Sequence, residues 1–211
     1  MNFDHILKEV ELMKIVPVVK LDKASDALPL AEALCAGGLP VAEITFRTDA
    51  AEESIRRITR EFPDMLIGAG TVINHEQAER AIDAGARFIV SPGFSSKVTD
   101  YTLRENRLIF PGICTPTELM MALEYNLPVM KFFPAKQYGG LDTIHALAAP
   151  FPSVRFMPTG GINQNNILTF LASRKIIACG GSWMVNEALI NSGDFQEITR
   201  LTAEAVALVQ G

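Results

Sequence analysis

A lysine in the middle of an apolar run is the residue with the clearest chemical meaning in this sequence. Residues 129–134 read Val-Met-Lys-Phe-Phe-Pro, a pattern typical of a buried strand that ends at the proline. Burying an ammonium group is costly unless the group is paired or neutral. Lys131 can therefore be structural, either ion-paired or with its stem packed and its head near water. It can also be an amine that desolvation keeps partly neutral and able to attack a carbonyl carbon.

Glu43 is the second charge embedded in an apolar run, Val41 to Phe46. One interpretation is that it only neutralises Lys131; the other is that it transfers protons as a general acid and base. Arg47 follows four residues later. It is either a solvated charge at a strand end or a clamp that binds a substrate carboxylate through two parallel hydrogen bonds.

A repeated strand–helix unit places these residues. Strands are predicted to begin near Ile15, Ala42, Leu66, Phe88, Leu108, Val129, Arg155 and Ile176. Helices are predicted at about residues 25–36, 49–61, 75–84, 96–106, 116–125, 140–149, 164–173 and 195–209. Eight such units with continuously apolar strands predict a parallel (β/α)8 barrel, the TIM barrel, with both sheet faces covered. An amphipathic helix at about residues 3–13 precedes it, and the whole chain, 1–211, is predicted to be one domain.

A doubly wound open sheet is the competing architecture. Its dinucleotide-binding fingerprint is incomplete here, because Gly68-Ala69-Gly70 is followed by Thr71-Val72-Ile73 without the required third glycine. The sequence therefore favours the barrel.

Polar residues and Gly/Pro turns gather where the predicted strands end. In a (β/α)8 barrel the carboxyl ends of the strands form the active site. Two glycine pairs, Gly160-Gly161 and Gly180-Gly181, follow the last two strands. Each pair alone is ordinary turn chemistry, but together they occupy the loops through which barrels often bind phosphate. Residues 183–191 are predicted to supply a short additional helix there.

Composition narrows the function classes. The net charge of −5 argues against a nucleic-acid or anionic-membrane surface, and no apolar run approaches a membrane span. Three cysteines without a C-x-x-C spacing, and an N-terminal segment without a continuous apolar stretch, indicate a reduced, cytoplasmic protein. Three histidines without ligand spacing disfavour a metal-dependent aldolase or hydrolase.

Six motifs together resemble one family, the bacterial 2-keto-3-deoxy-6-phosphogluconate (KDPG) and 4-hydroxy-2-oxoglutarate (KHG) aldolases. The resemblance runs nearly end to end, with the motifs in the family's order. They are Ala42-Glu43-Ile44-Thr45-Phe46-Arg47-Thr48, Gly68-Ala69-Gly70-Thr71-Val72, Ser91-Pro92-Gly93, Lys131-Phe132-Phe133-Pro134-Ala135, Pro158-Thr159-Gly160-Gly161-Ile162 and Gly180-Gly181-Ser182-Trp183.

The resemblance implies a class I, metal-free aldolase without a cofactor, usually a homotrimer, which releases pyruvate from a 2-keto-3-deoxy sugar acid phosphate. It assigns the Schiff base to Lys131 and the acid/base role to Glu43. By the same resemblance, Arg47 and Thr71 hold the substrate carboxylate beside the Pro92 turn. Phe133 forms a wall of the pocket, and Thr159 contacts the substrate hydroxyls and influences stereochemistry. The phosphate is held by Gly160, Gly161, Gly181 and Ser182. Lys136, Gln137 and Asn186 depart from the family pattern, which affects contacts at the rim of the site.

Other functions remain open at this point. The nearest are a sister aldolase for the galactonate epimer and an aldolase used mainly on the unphosphorylated hydroxy-oxoglutarate. A sugar-phosphate-binding barrel without lyase activity belongs to a different class, and the set of Lys131, Glu43 and Arg47 argues against it. A phosphate-barrel isomerase would need two acid/base groups and no buried strand lysine.

Overall fold

Nine short parallel strands form the centre of the computed structural model, which describes residues 3–211. The first two residues of the predicted domain lie outside the described residues. The strands are β1 Ile15–Val19, β2 Val41–Thr45, β3 Leu66–Gly70, β4 Phe88–Val90, β5 Leu108–Phe110, β6 Gly112–Ile113, β7 Val129–Phe132, β8 Arg155–Pro158 and β9 Cys179–Gly181.

Helices follow the strands on the outside of the sheet. They are α1 Asp4–Met13, α2 Ala27–Ala36, α3 Ala51–Glu61, α4 His75–Asp83, α5 Ser96–Arg104, α6 Pro116–Leu123, α7 Gly140–Ala148, α8 Ile167–Leu171, α9 Glu187–Ser192 and α10 Phe195–Gln210. No helix in the described part of the chain is long and apolar enough to cross a membrane.

The strands close into a barrel of eight positions. Six pair in the order β5-β4-β3-β2-β1-β9, and three in the order β6-β7-β8. β5 and β6 are one barrel strand interrupted at Pro111, whose carbonyl accepts a hydrogen bond from the Lys131 N–H at 2.9 Å. On the other side, parallel bridges join Phe156 to Ile176 and Thr159 to Gly180. The predicted (β/α)8 barrel with an additional N-terminal helix is confirmed.

The last strand differs from its prediction. The apolar run at Ile176 predicted the start of a strand, whereas β9 begins at Cys179. Ile176 makes only an isolated bridge to Phe156, and regular pairing with β1 begins when Cys179 reaches Ile15. The apolar run therefore begins three residues before the hydrogen-bonded pairing of β9 with β1, which is why the strand was predicted to start too early.

Helix α1 covers the amino-terminal end of the barrel. Its Glu9 carboxylate accepts hydrogen bonds of 2.8 and 3.1 Å from Arg87, which directly precedes β4. Glu11 accepts a 2.7 Å hydrogen bond from Arg155, the first residue of β8. Both arginines stand at the amino ends of strands, so α1 spans that end and leaves the carboxyl ends of the strands open.

Candidate active site

A cavity of about 390 Å³ lies at the carboxyl ends of the strands. All eleven residues that the sequence predicted for the site line it: Glu43, Arg47, Thr71, Pro92, Lys131, Phe133, Thr159, Gly160, Gly161, Gly181 and Ser182. They come from separate barrel strands and from the turns that follow them, as expected for a (β/α)8 barrel. The structure therefore brings together every residue of the predicted set.

Lys131 and Glu43 form an ion pair on the inner wall of the barrel. The distance from Lys131 Nζ to Glu43 Oε1 is 3.3 Å. The two residues are 4% and 0% exposed, so water reaches neither group freely. Glu43 Oε2 is buried and has no hydrogen-bond partner among the described residues. A buried carboxylate oxygen without a partner is an available acceptor for a proton of a bound molecule.

Phe133 covers the amine from one side. Its ring centroid lies 5.2 Å from Lys131 Nζ, within range of a cation–π interaction. The peptide bond between Phe133 and Pro134 is cis. An aromatic wall beside the amine limits solvent there, which is what a nucleophilic lysine requires.

Two glycines make room for the polar side chains. A Cβ atom on Gly70 would stand 2.1 Å from Glu43 Oε1, and a Cβ atom on Gly180 would stand 2.3 Å from Thr159 Oγ1. Any larger residue at these positions would displace Glu43 or Thr159. The Thr159 hydroxyl is buried and, like Glu43 Oε2, has no hydrogen-bond partner in the described chain.

Thr71, the residue after β3, has a φ angle of +57°. A β-branched residue in this left-handed region is strained, and such strain is concentrated at functional sites. The conformation places Thr71 on the cavity wall next to the Gly70–Glu43 contact.

Arg47 follows β2 and stands at the rim of the cavity. Its Nε donates a 3.1 Å hydrogen bond to Thr45 Oγ1. Neither terminal nitrogen of Arg47 makes an ion pair or hydrogen bond with another residue that the structure describes. The guanidinium group thus keeps its two terminal NH₂ groups for an anion.

The glycine-rich turns after β8 and β9 also line the cavity. Gly160 and Gly161 have φ angles of +100° and +78°, which L-residues rarely adopt. The N–H groups of Gly161 and Ile162 make no hydrogen bond to any other group in residues 3–211. Free N–H groups beside the Ser182 hydroxyl can bind an anion.

The additional helix near this turn is shorter than predicted. Residues 183–191 were expected to be helical, whereas α9 covers Glu187–Ser192. Asn186 explains the later start, because it is extended and its side chain accepts a hydrogen bond from the Ala188 N–H.

Sequence reasoning missed three lining residues, Val18, Ile162 and Gly180. Strand register would have found Val18, since it pairs with Glu43 across β1 and β2. Gly180 belongs to a quoted glycine pair, but its proximity to Thr159 depends on the closure of the barrel. Thr45 was also missed, because an isolated threonine in a strand carries no chemical signal.

The barrel mouth holds a buried lysine–glutamate pair, glycine-rich turns and an arginine that has no ion pair within residues 3–211. This arrangement defines a class: barrel enzymes that act on carbonyl compounds through a lysine amine. Comparisons with known proteins give the family. The family model for KDPG and KHG aldolase matches residues 4–201. The chain belongs to this family, and the predicted activity of a class I aldolase, a carbon–carbon lyase, is confirmed.

Individual relatives agree with this assignment. A 2-dehydro-3-deoxy-phosphogluconate aldolase of Treponema pallidum is 46% identical over 204 residues, which are 97% of each chain. A crystal structure of KDPG aldolase from Legionella pneumophila, with pyruvate captured as a covalent carbinolamine, matches with a TM-score of 0.90 and 38% identity over 94% of this chain and 96% of that one. The Zymomonas mobilis enzyme with 3-phosphoglycerate matches with a TM-score of 0.90 and 37% identity, covering 98% and 97% of the two chains.

Proposed function

We propose that the protein cleaves KDPG to pyruvate and glyceraldehyde 3-phosphate, and KHG to pyruvate and glyoxylate, with Lys131 as the Schiff-base residue and Glu43 as the acid/base. The observation that carries this proposal is the buried contact of 3.3 Å between Lys131 Nζ and Glu43 Oε1 in the cavity. The pair combines a nucleophile with a proton acceptor at hydrogen-bond range.

The chemistry follows from these two groups. The Lys131 amine adds to the C2 ketone and water leaves, which gives an iminium. The iminium accepts the electron pair of the C3–C4 bond as that bond breaks, while Glu43 takes the proton of the C4 hydroxyl, directly or through a water. Glu43 then returns a proton to C3 of the enamine, and hydrolysis of the resulting imine releases pyruvate and the free lysine.

Arg47 and Thr71 bind the substrate carboxylate in this proposal, close to the Pro92 turn. The support is that Arg47 has no carboxylate partner among the described residues and faces the cavity. Thr159 contacts the substrate hydroxyls and influences stereochemistry; its buried hydroxyl has no partner within residues 3–211. A polar group left without a partner in the free protein is ready to bind one from the substrate.

The phosphate group of KDPG binds at the glycine-rich turns, to Gly160, Gly161, Gly181 and Ser182. The free N–H groups of that region support this assignment. The whole protein has a net charge of −5, so an anionic substrate needs positive potential at the site itself. Arg47 and the backbone N–H groups, which line the same cavity, supply it.

Borohydride reduction in the presence of pyruvate tests the covalent step. Intact-protein and peptide mass spectrometry should show one reduced pyruvyl group, located on Lys131. Lys131→Met should abolish it. The matched control is Lys136→Met, which removes an exposed lysine of the turn after β7 and should leave trapping unchanged. An adduct on Lys136, or none on the wild-type protein, would contradict the proposal.

Substrate preference is tested by measuring pyruvate release from KDPG, its galactonate epimer and KHG side by side. We expect the highest kcat/KM with KDPG. Ser182→Asp would place a carboxylate beside the phosphate and should lower kcat/KM for KDPG by at least about tenfold, because like charges meet at the site. KHG lacks the phosphate and should be much less affected. An equal loss of kcat/KM on both substrates would contradict the assignment of the phosphate to this end of the cavity.

The protein assembles as a homotrimer in this proposal. Large apolar side chains support an interface: Met120 and Met121 on α6 are 57% and 41% exposed, and Tyr138 after β7 is 49% exposed. Sedimentation velocity should give three times the chain mass, and Met120→Glu should shift the protein to smaller species. Leu12→Glu on α1, where the side chain is 72% exposed, is the control and should not. A monomeric wild-type protein would contradict this assembly.

We further propose that the protein, by cleaving KDPG, acts in the Entner–Doudoroff pathway of the cytoplasm. Cells that lack it should accumulate KDPG when sugar acids are the carbon source. Unchanged KDPG levels in such cells would contradict this role.

A further inference from the structure

We propose that Thr45 is a positioning residue for the reaction: its hydroxyl fixes the Arg47 guanidinium so that both terminal NH₂ groups face the substrate carboxylate. This inference rests on the proposed function, in which Arg47 binds that carboxylate.

The hydrogen bonds around Thr45 have only one possible direction. Thr45 is the last residue of β2 and is 1% exposed. Its Oγ1 lies 2.7 Å from the Val19 carbonyl oxygen and 3.1 Å from Arg47 Nε. A carbonyl only accepts and a guanidinium only donates, so the single hydroxyl proton goes to Val19 and the oxygen accepts from Arg47. Arg47 Nε–H, the Thr45 hydroxyl and the Val19 carbonyl thus form a chain that ends in the rigid strand β1.

This anchor determines which face of Arg47 is available. A guanidinium group can bind a carboxylate through Nε and one terminal nitrogen or through both terminal nitrogens. Thr45 occupies Nε, which leaves the second mode. Arg47 itself is exposed, and a free arginine loses considerable rotamer entropy when it binds. A bond from Nε to a buried hydroxyl restricts the side chain before the substrate arrives.

Thr48 provides a matched control. Its hydroxyl donates to the Leu21 carbonyl, just as the Thr45 hydroxyl donates to Val19. Thr45 thus connects β2 to β1, and Thr48 connects the turn after β2 to the segment after β1. Of the two, only Thr45 accepts a hydrogen bond from the Arg47 side chain, so a purely structural role predicts the same consequences for both substitutions.

Steady-state kinetics of Thr45→Val, Thr45→Ser and Thr48→Val test the proposal. Thr45→Val should raise KM for KDPG roughly 3- to 10-fold, the usual effect of losing the preorganisation of one long side chain, with kcat within about twofold. KM for pyruvate in methyl-hydrogen exchange should rise by the same factor, because pyruvate shares the carboxylate. Thr45→Ser should restore both values, and Thr48→Val should change neither.

A double-mutant cycle with Arg47→Ala separates the possible failures. Arg47→Ala should raise KM, and Thr45→Val should add nothing in that background. If Arg47→Ala leaves KM unchanged, the carboxylate role of Arg47 and the role of Thr45 both fail. If Arg47→Ala raises KM but Thr45→Val alone does not, or if Thr45→Val raises KM equally without Arg47, only the inference about Thr45 is overturned.

The wild-type protein offers a test that does not depend on a folded variant. The Arg47 Nε–H should exchange with solvent at least about tenfold more slowly than that of Arg174, whose exposed side chain has no hydrogen bond to another described residue. NMR detection of arginine side-chain N–H signals measures this directly. Equal exchange rates would overturn the proposal.

Discussion

Replacing Glu43 by glutamine distinguishes a catalyst from a counter-ion. Glutamine has the size of glutamate and fits the space that the absence of a Cβ atom on Gly70 leaves for the side chain of residue 43. Its oxygen can still face Lys131, while its NH₂ group takes the buried position of Oε2, which has no partner among residues 3–211. That position is already without a partner among the described residues of the wild-type protein, so the main loss is the ion pair with Lys131, and the variant should fold with reduced stability.

The two roles of Glu43 predict opposite effects on proton exchange. As the acid/base, Glu43 removes and returns the proton at the pyruvate methyl group, so exchange and cleavage should both fall by roughly 10²–10⁴-fold, or about 3–5 kcal/mol of barrier. As a counter-ion only, its replacement makes the neutral Lys131 amine more populated, and exchange should persist or improve. Schiff-base trapping should persist in both cases, since Lys131 is retained.

NMR in deuterated buffer measures the exchange, alongside borohydride trapping on the same sample. Glu118→Gln is the control, because it makes the same chemical change at a carboxylate outside the cavity and should leave exchange unaltered. Exchange near the wild-type rate in Glu43→Gln would refute the catalytic role. Proton transfer would then have to be sought at a water held by Thr71 or Thr159.

Three further substitutions test how the structure supports the site. Gly70→Ala should displace Glu43 and lower kcat/KM at least about 100-fold, and overpacking should lower the stability by about 1–3 kcal/mol. Gly93 has open space around it, so the control Gly93→Ala should change neither kcat/KM nor stability. Thr71→Asn should raise the free energy of unfolding by about 0.5–1 kcal/mol, because asparagine tolerates the left-handed backbone. The KM for pyruvate should rise in the same variant. A lower free energy of unfolding would show that the backbone of Thr71 is not strained. Burial opposes ionisation of Glu118, but N–H and hydroxyl donors at Cys114 and Thr115 outweigh it and lower the pKa of this carboxyl. The stability that the Glu118 carboxylate contributes is therefore present above its unfolded pKa of about 4.5 and lost as the pH falls below that value. Chemical denaturation of Glu118→Gln should show a loss of about 1–2 kcal/mol at pH 7 and a smaller loss near pH 3. A loss of stability that does not change with pH would contradict this prediction.

Local patterns in the sequence predicted the barrel and singled out Lys131, Glu43, Arg47 and the glycine pairs as candidates, whereas the roles of the remaining site residues were implied by the family resemblance. Eight apolar runs at regular intervals specify the strands, and the carboxyl end of each strand is where a barrel gathers its polar residues. Lys131 and Glu43 stand out because charge is rare in such runs. These signals require no knowledge of contacts between distant parts of the chain.

Contacts between distant residues could not be predicted in the same way. That Gly70 is needed for Glu43, and Gly180 for Thr159, follows from the approach of neighbouring strands to within a side chain's width. The interruption of β5 and β6 at Pro111 and the late start of β9 depend on hydrogen bonds that only the closed barrel makes. The hydroxyl of Thr45 likewise becomes informative only when Arg47 and Val19 are seen on either side of it.

Charged side chains are paired at the amino end of the barrel and incompletely paired at the carboxyl end. The first arrangement stabilises the fold, and the second leaves groups available for a ligand. At the amino end, Glu9 and Glu11 of α1 bind Arg87 and Arg155, so each charge is paired and fixes the helix on the strands. At the carboxyl end, neither Arg47 nor one oxygen of Glu43 is paired within residues 3–211: Arg47 has no anionic partner there, and Glu43 Oε2 has no hydrogen-bond partner. Leaving the buried oxygen of Glu43 without a partner lowers the stability of the free protein, and the exposed Arg47 stays available for an anion. In the proposed function, a substrate that carries a carboxylate and a hydroxyl group supplies both missing partners, so the interactions absent from the free protein would be the ones that bind and transform the substrate.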